Sequence, residues 1–239
     1  MDKIEQLKQW VAESQRIVFF GGAGVSTESG IPDFRGVDGL YKQKFKYMPE
    51  EIISRSFFRR DPEYFYNFYR QKMLPLDHEP NVTHRVLARW EREGRLSAVV
   101  TQNIDGLHQK AGSKEVYELH GSVLRNYCVN PKCRKFYPAE FIRDSVGVPT
   151  CDCGGIVKPD VVLYEEGLDM DTIEKSVMAI RKADMLIVAG TSLTVYPAAG
   201  LIHYYRGGRL VLINLEETPY DRRADLVIHD ILGHMFSQL

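Results

Sequence analysis

Residues 19–36 of this chain read FFGGAGVSTESGIPDFRG, and this stretch decides the fold. An apolar run at residues 17–20 leads directly into the glycines, and a short polar segment follows. This order predicts a buried strand that turns sharply into the N-terminus of a helix. Such a turn presents backbone N–H groups and the positive end of a helix dipole, which bind phosphate groups. Glycine has no Cβ atom and therefore lets the backbone approach a phosphate closely.

The glycine spacing alone is a weak indication of a nucleotide site. Gly22-x-Gly24 begins like the dinucleotide-binding fingerprint, but Thr27 stands at the position of its third glycine. A tight turn with no ligand is therefore an alternative interpretation. The segment at residues 33–35 favours a ligand site, because it adds an acid, an aromatic ring and a guanidinium beside the predicted phosphate site.

The composition is that of an ordinary globular protein. The chain has 239 residues, of which 44% are hydrophobic and 26% are charged, and its net charge is −1. This length suits one large domain or a domain with a smaller insert. The near-neutral charge argues against a general nucleic-acid or membrane surface, and no apolar run reaches the roughly 20 residues of a membrane helix. The charged N-terminus lacks a secretory signal, so we expect a cytoplasmic protein. We also expect a monomer.

The spacing of apolar residues predicts the order of the main elements. Short apolar runs predict buried strands at residues 17–20, 96–101, 116–119, 185–189, 210–213 and 226–228. Helical spacing predicts helices at residues 2–14, 82–93, 172–182, 197–205 and 231–239. Strands that alternate with helices indicate an α/β fold, a doubly wound Rossmann-like parallel sheet.

The four cysteines of the chain predict a structural zinc site. They form two close pairs with 17 residues between them, Cys128 with Cys133 and Cys151 with Cys153. Four unrelated buried thiols are the alternative, since a cytosolic chain does not use disulfides. The second pair has a single residue between its cysteines, which requires a tight turn that Gly154-Gly155 can supply. Four thiolates fill a tetrahedral shell, so this zinc is predicted to be structural.

Two segments do not fit the alternation of strands and helices. Residues 36–80 are rich in aromatic side chains and prolines, which predicts several short helices. Residues 122–159 contain the cysteines and several turn signals. We therefore expect a smaller lobe made of a helical insert, 36–80, and a zinc-binding insert, 122–159. The predicted Rossmann-like domain comprises residues 1–35, 81–121 and 160–239.

Further polar motifs follow predicted strands. The loop TQNIDGLH, residues 101–108, adds amides and an acid that suit ribose hydroxyls and a carboxamide, although an Asx-rich turn is an alternative. His120 lies in YELHG at another strand end, where a neutral imidazole can accept a proton from a hydroxyl. The strand ends at 189–193 and 211–216 carry small, hydroxyl, amide and acidic residues that fit phosphate and adenine-ribose contacts.

These motifs together resemble the sirtuins, the family of NAD-dependent protein-lysine deacylases. The matching motifs are GAGVS followed by GIPDFR, then TQNID, then LHG, and the similarity covers nearly the whole chain. The resemblance implies transfer of the acetyl group of acetyl-lysine to ADP-ribose, with release of nicotinamide and O-acetyl-ADP-ribose. A mono-ADP-ribosyltransferase on the same fold and a non-catalytic NAD-sensing module are the alternatives.

The resemblance also implies which residues form the site. His120 is expected to be the general base and Asn103 the second catalytic residue, and acetylated proteins or peptides are the expected partners. The residues expected to contact NAD are Gly22, Ala23, Gly24, Thr27, Asp33, Phe34, Arg35, Gln102, Asn103, Ile104, Asp105, His120, Gly190, Thr191, Ser192, Asn214, Leu215, Glu216 and Ile231.

Substrate contacts are expected from Val161, Val162 and Tyr164, which resemble the family's segment that pairs with the substrate peptide. The family usually continues Phe-Gly-Glu, whereas this chain has Glu165 in place of the glycine. An added carboxylate there is expected to favour basic peptides.

The helical insert indicates which acyl group is accepted. Sirtuins that remove succinyl or malonyl groups carry Tyr-x-x-Arg in this insert, and the arginine pairs with the acyl carboxylate. Tyr66 is present, but Tyr69 stands at the arginine position. Arg70 is one residue away, about 100° around a helix. The sequence therefore predicts a preference for acetyl or other uncharged acyl groups.

Overall fold

A computed structural model describes residues 2–34, 36 and 39–239 of the chain. The strands are β1 (Ile17–Gly21), β2 (Leu96–Thr101), β3 (Val116–Glu118), β4 (Gly121–Cys128), β5 (Phe136–Tyr137), β6 (Val157–Val161), β7 (Met185–Ala189), β8 (Leu210–Ile213) and β9 (Leu226–Ile228). The α-helices are α1 (Lys3–Glu13), α2 (Pro49–Ile52), α3 (Arg55–Arg60), α4 (Pro62–Lys72), α5 (Val82–Arg92), α6 (Leu107–Lys110), α7 (Ala139–Asp144), α8 (Met170–Lys182) and α9 (Leu232–Phe236). None of the helices in these ranges is long and apolar enough to span a bilayer.

Six parallel strands form the main sheet, in the order β3-β2-β1-β7-β8-β9. This order is that of a doubly wound Rossmann-like sheet, which confirms the predicted fold class. Every residue of β1, β7 and β8 is buried, because helices cover both faces of the sheet. The strands therefore read as continuous apolar runs in the sequence, which is why their positions could be predicted.

A hydrophobic core lies on each face of this sheet. Successive residues of a strand point to opposite faces, so Phe19 and Phe20 lie in different cores. Phe19 shares its core with residues of α1, α5 and α9, and its ring lies 6.0 Å from that of Phe236. Phe20 shares the other core with Ile180 of α8 and with the 3₁₀ segment Ala198–Tyr204.

The smaller lobe contains the antiparallel sheet β5-β4-β6 and the helices α2, α3, α4 and α7. Both inserts contribute to one core, in which Phe65 and Tyr66 of α4 lie with Val123 and Val157 of the small sheet. The predicted limits of the two domains stay a prediction. Strand β6 runs across the limit drawn at residue 160.

The structure differs from the sequence predictions at three places: two predicted helices are 3₁₀ segments, and one strand was not predicted. After β1 the chain forms two 3₁₀ turns, Ala23–Val25 and Thr27–Ser29, in place of the predicted α-helix. Gly30, with φ of +87°, ends the second turn. The predicted helix at 197–205 is also a 3₁₀ segment. Strand β4 was not predicted, because buried polar residues such as Asn126 interrupt its apolar pattern.

Two buried histidines lie beside the sheet. His84 of α5 and His108 of α6 have ring centroids 4.7 Å apart. Burial lowers the pKa of His84 to about 4 and holds the pKa of His108 well below its usual range. Among the described residues, neither ring nitrogen of His108 has a hydrogen-bond partner. Both imidazoles are therefore neutral in the folded protein at neutral pH.

These histidines make the stability depend on pH. In the unfolded chain a histidine titrates near 6.5, above its pKa in the fold, so the unfolded state binds protons first as the pH falls. We expect the free energy of unfolding to fall between about pH 6.5 and pH 4, by up to about 1.4 kcal/mol per pH unit for each buried histidine. Urea unfolding at a series of pH values measures this slope.

A matched pair of variants identifies the groups responsible. His84→Gln removes one buried titrating group and is expected to flatten the dependence on pH. Gln109→Ala removes an exposed side chain of α6 that carries no titratable group and is expected to leave the slope nearly unchanged. Equal slopes in the unaltered protein and in His84→Gln would contradict the assignment.

Candidate functional site

A cleft of about 770 Å³ opens at the carboxyl ends of β1 and β7. The strand order reverses between these two strands, since the chain continues from β1 to β2 on one side and from β7 to β8 on the other. Open α/β sheets bind their ligands outside this reversal point, because the loops from the two halves diverge there and leave a crevice.

Glycines bring two backbones into direct contact at the base of this cleft. The N–H of Gly24 donates to the carbonyl of Gly190 at 2.8 Å. A Cβ on Gly24 would lie 2.8 Å from the Cα of Gly190, which is closer than side chains pack. Gly190 has φ of +59°, and a Cβ there would lie 2.6 Å from the nitrogen of Val25. Both positions therefore require glycine.

Ser26 connects the glycine turn to the loop after β2. Its hydroxyl donates to Asp105 Oδ2 at 2.7 Å and accepts from Asn103 Nδ2 at 3.1 Å. Ser26 is only 1% exposed, so these bonds are shielded from water. They fix both side chains of the loop relative to the glycine turn.

Asp105 is a partly buried carboxylate whose surroundings act on its pKa in opposite directions. Burial raises its pKa above the usual range, and hydrogen bonds from the Leu107 N–H and the Ser26 hydroxyl oppose that rise. The Leu107 N–H lies 2.9 Å from Oδ1. A carboxylate in this environment can accept hydrogen bonds from hydroxyl groups of a ligand and can stabilise a nearby positive charge.

His120 has the geometry of a proton acceptor. Its Nδ1 lies 3.0 Å from the carbonyl oxygen of Gln102, which only accepts, so Nδ1 carries the proton and Nε2 keeps a lone pair. Burial lowers the pKa of His120, against the smaller opposing effect of that carbonyl. The imidazole is therefore neutral at neutral pH, and it lines the cleft.

The structure brings the predicted ligand-binding residues into this one cleft. Its lining includes Gly22, Ala23, Gly24, Thr27, Asp33, Phe34, Gln102, Asn103, Ile104, Asp105, His120, Val161, Val162, Tyr164, Gly190, Thr191, Ser192, Asn214, Leu215, Glu216 and Ile231. Arg35 lies outside the described residues. The gathered residues come from both lobes, which shows that the cleft runs between the sheet and the smaller lobe.

Comparison with known proteins identifies the family. The family model described as "Sir2 family" matches residues 22–197. The chain belongs to the Sir2 family. This membership confirms the resemblance to the sirtuins that the motifs indicated.

Two curated relatives are similar over almost their full lengths. The NAD-dependent protein deacetylase of Clostridium acetobutylicum is 60% identical over 237 residues, which cover 98% of this chain and 96% of that protein. The NAD-dependent protein deacetylase of Clostridium perfringens is 59% identical over 242 residues, which cover 100% of this chain and 98% of that protein.

Solved Sir2 structures have the same fold. A complex described as Sir2 with p53 peptide and NAD+ has a TM-score of 0.88 and 40% identity, and the match covers 100% of this chain and 97% of that chain. A Sir2 variant with deacetylated p53 peptide and 3'-O-acetyl ADP-ribose has a TM-score of 0.91 and 41% identity. The match covers 99% of this chain and 97% of that chain.

The four cysteines form a second site in this Sir2 protein. Their Sγ atoms all lie within 4.8 Å of one another. Cys128 and Cys153 are separated by 3.4 Å and Cys133 and Cys151 by 3.6 Å, far longer than a disulfide bond of about 2.0 Å. A tetrahedral site with Zn–S bonds of about 2.3 Å has sulfur–sulfur distances of about 3.8 Å. The cluster therefore suits a structural zinc ion.

The backbone around the second cysteine pair explains its short spacing. Gly154 has φ of +81°, which bends the chain back after Cys153, and its N–H donates to the carbonyl of Cys151 at 2.8 Å. A Cβ on Gly155 would lie 2.7 Å from the sulfur of Cys128. The glycine pair thus supplies the backbone freedom that the sequence predicted.

Sequence reasoning missed two residues that organise the cleft. Ser26 was not assigned a role, although a hydroxyl between Gly24 and Thr27 was a usable signal. Glu28 accepts a hydrogen bond from the Gly233 N–H at 2.6 Å and so ties the glycine turn to the start of α9. These residues are 205 positions apart in the chain, and no local pattern indicates their contact.

The zinc assignment predicts how the small lobe responds to loss of a thiolate. We expect about one zinc ion per chain, and we expect Cys151→Ser to lose the metal and to lower the melting temperature, because the folded lobe is held by the complete shell. Zinc released after thiol modification measures the metal content.

Asp152→Asn is the matched control in the same turn. It removes an exposed ion pair with Lys135, whose atoms lie 2.5 Å apart, but it leaves every thiolate in place. This variant should retain its zinc. Full zinc content in Cys151→Ser would overturn the assignment.

Proposed function

We infer that the chain is an NAD-dependent protein-lysine deacetylase, which transfers the acetyl group of acetyl-lysine to ADP-ribose. The observation that carries this inference is the neutral His120, whose unprotonated Nε2 lies in the same cleft as the glycine turn. The curated relatives that bear the name NAD-dependent protein deacetylase, and the Sir2 complexes with NAD+ and p53 peptide, support it.

We assign the two halves of the cleft to the two ends of NAD. The turn from Gly22 to Thr27 and the hydroxyls of Thr191 and Ser192 contact the phosphates, because bare backbone and hydroxyl groups meet there. Asn214 and Glu216 lie at the end of β8, where they contact the adenine ribose with Leu215 and Ile231 nearby.

The nicotinamide end belongs to the loop after β2. Asn103 and Asp105 contact the nicotinamide and its ribose, and Gln102, which donates to Thr191 at 2.9 Å, lies on the ribose side. Ile104 packs against the core of the smaller lobe and excludes water from this end. Asp33 and Phe34 cover the cofactor from the segment that follows the glycine turn.

When bound, NAD supplies the glycosidic bond that breaks to release nicotinamide and the ribose that receives the acetyl group. His120 accepts, at Nε2, the proton of a ribose hydroxyl, while its Nδ1–H remains on the Gln102 carbonyl. The partly buried Asp105 carboxylate would stabilise positive charge at the sugar, because its surroundings screen charge less than bulk water does.

The peptide substrate is assigned to the edge of the small sheet. Strand β6 is an edge strand, so an extended peptide can add to it by main-chain hydrogen bonds. Val161, Val162 and Tyr164 line the cleft on this side. The expected monomeric state, the expected absence of nucleic-acid partners and the expected cytoplasmic location stay predictions.

A preference for uncharged acyl groups is part of this proposal. The guanidinium of Arg70 donates to the carbonyls of Ile142 at 2.8 Å and Gly147 at 2.6 Å, so it holds the smaller lobe together. The hydroxyl of Tyr66 donates to the carbonyl of Val157 at 2.5 Å. Both groups already have partners inside the protein, and neither lines the cleft as the described residues define it.

The products of one reaction separate this function from its alternatives. The chain is incubated with an acetyl-lysine peptide and NAD, and the products are identified by mass spectrometry. We expect nicotinamide, deacetylated peptide and O-acetyl-ADP-ribose in equal amounts. ADP-ribose attached to protein without deacetylation would indicate a mono-ADP-ribosyltransferase, and no consumption of NAD would indicate a non-catalytic module.

His120→Ala tests the proposed base directly. We expect kcat to fall by about 10²- to 10⁴-fold, because general-base catalysis contributes a factor of this size. The affinity for NAD should change little, since the glycine turn is untouched. Glu174→Ala, which removes an exposed glutamate of α8, is the control and should retain activity. Full deacetylation by His120→Ala would overturn the proposed mechanism.

A further inference from the structure

The substrate strand ends in a turn with an unusual residue at its third position. The N–H of Glu166 donates to the carbonyl of Leu163 at 3.0 Å, which closes a four-residue turn at 163–166. Glu165 has φ of +71°, in the left-handed region. Turns that need a positive φ at this position favour glycine, because a Cβ atom is strained there. The chain therefore holds a glutamate in a conformation suited to glycine.

The side chain of Glu165 makes contacts that offset this strain. Its Oε2 accepts from the backbone N–H of Ser56 at 2.9 Å, and its Oε1 accepts from the Ser56 hydroxyl at 2.8 Å. Ser56 lies in the first turn of α3, where backbone N–H groups lack partners within the helix. Hydrogen bonds to a carboxylate are among the stronger ones in proteins. A glycine at position 165 could not make either bond.

The same turn is joined to the helical insert through its backbone. The N–H of Tyr164 donates to the carbonyl of Ile53, and the N–H of Arg55 donates to the carbonyl of Tyr164, both at 3.0 Å. The carboxylate of Glu166 accepts from the N–H of Leu163 at 2.9 Å. The chain after β6 is thus fastened to the segment that begins α3, and Glu165 adds the side-chain part of this connection.

We propose that Glu165 is a positioning residue for the peptide substrate, which fixes the end of the substrate strand by binding the first turn of α3. The proposal rests on the assignment of the peptide to β6. Strand β6, which ends at Val161, presents the edge to which the peptide adds. The main-chain groups of Leu163 and Tyr164 are already bonded within the protein, and the turn at 163–166 sets the orientation of that edge. The carboxylate already accepts two hydrogen bonds from Ser56, so we assign Glu165 to holding the end of the strand. The preference for basic peptides that the sequence predicted stays a prediction.

Substitutions at position 165 distinguish the effect of backbone strain on the KM for the peptide from the effect of the two hydrogen bonds to Ser56. Glu165→Ala keeps the strained conformation and loses both bonds, and we expect the KM for an acetyl-lysine peptide to rise about tenfold. Glu165→Gly loses the bonds but relieves the strain, so its KM should lie between those of the unaltered protein and Glu165→Ala. Glu165→Gln retains an oxygen that can accept from the Ser56 N–H and should resemble the unaltered protein.

The KM for NAD and kcat distinguish positioning from a general loss of structure. Both should stay within about twofold in all three variants, because the glycine turn and His120 are untouched. Glu174→Ala, which removes an exposed glutamate of α8, is the matched control and should leave all three constants unchanged.

Three results would overturn the proposal: an unchanged peptide KM in Glu165→Ala, a KM for Glu165→Gly at least as high as that for Glu165→Ala, or an equal rise in the KM for NAD. Failure of the proposed function gives a different result, because the unaltered chain would then consume no NAD with the acetylated peptide.

Discussion

The cleft depends on one close contact between two backbones. The glycine turn after β1 lies directly against Gly190 after β7, with a hydrogen bond of 2.8 Å from the N–H of Gly24. The contact joins the two halves of the parallel sheet at the point where the strand order reverses. Any Cβ atom at Gly24 or Gly190 would push these backbones apart. The shape of the cofactor cleft is therefore set by main-chain packing, with side chains added around it.

A chain of hydrogen bonds extends from this contact to the substrate strand. Ser26 binds Asn103 and Asp105, the carbonyl of Gln102 orients His120, and the carbonyl of His120 accepts from the Val162 N–H at 3.0 Å. The proposed base thus lies between the loop assigned to the nicotinamide end and the strand assigned to the peptide. Its position is fixed by backbone groups on both sides, which keeps the imidazole in one tautomer and one place.

The strands of the main sheet were largely predictable. Strands β2, β7, β8 and β9 begin and end at the predicted residues, because each is a buried apolar run with polar or glycine residues after it. The zinc ligands were predictable from the spacing of the cysteines. The residues of the cleft could be named because their motifs resemble those of the sirtuins, and because these motifs follow the carboxyl ends of parallel strands, which meet at one edge.

The remaining features depend on contacts between distant parts of the chain. The turn after β1 is not an α-helix, because the N–H of Gly24 donates to the carbonyl of Gly190, which follows β7 and lies 166 residues later in the sequence. Strand β4 carries the buried Asn126, whose amide donates to two carbonyls at 3.3 Å. The hydrogen bonds of Ser26 and Glu165 likewise join residues 77 or more positions apart. No local pattern in the sequence indicates these pairs.

The affinity of Gly190→Ala for NAD, measured by isothermal titration calorimetry, tests the central role of the backbone contact most directly. Gly208→Ala is the matched control, because a Cβ at Gly208 would meet no heavy atom within 4 Å. The account predicts that Gly190→Ala weakens NAD binding about tenfold or more while Gly208→Ala binds as the unaltered protein does. Unchanged NAD affinity in a folded Gly190→Ala protein would contradict it.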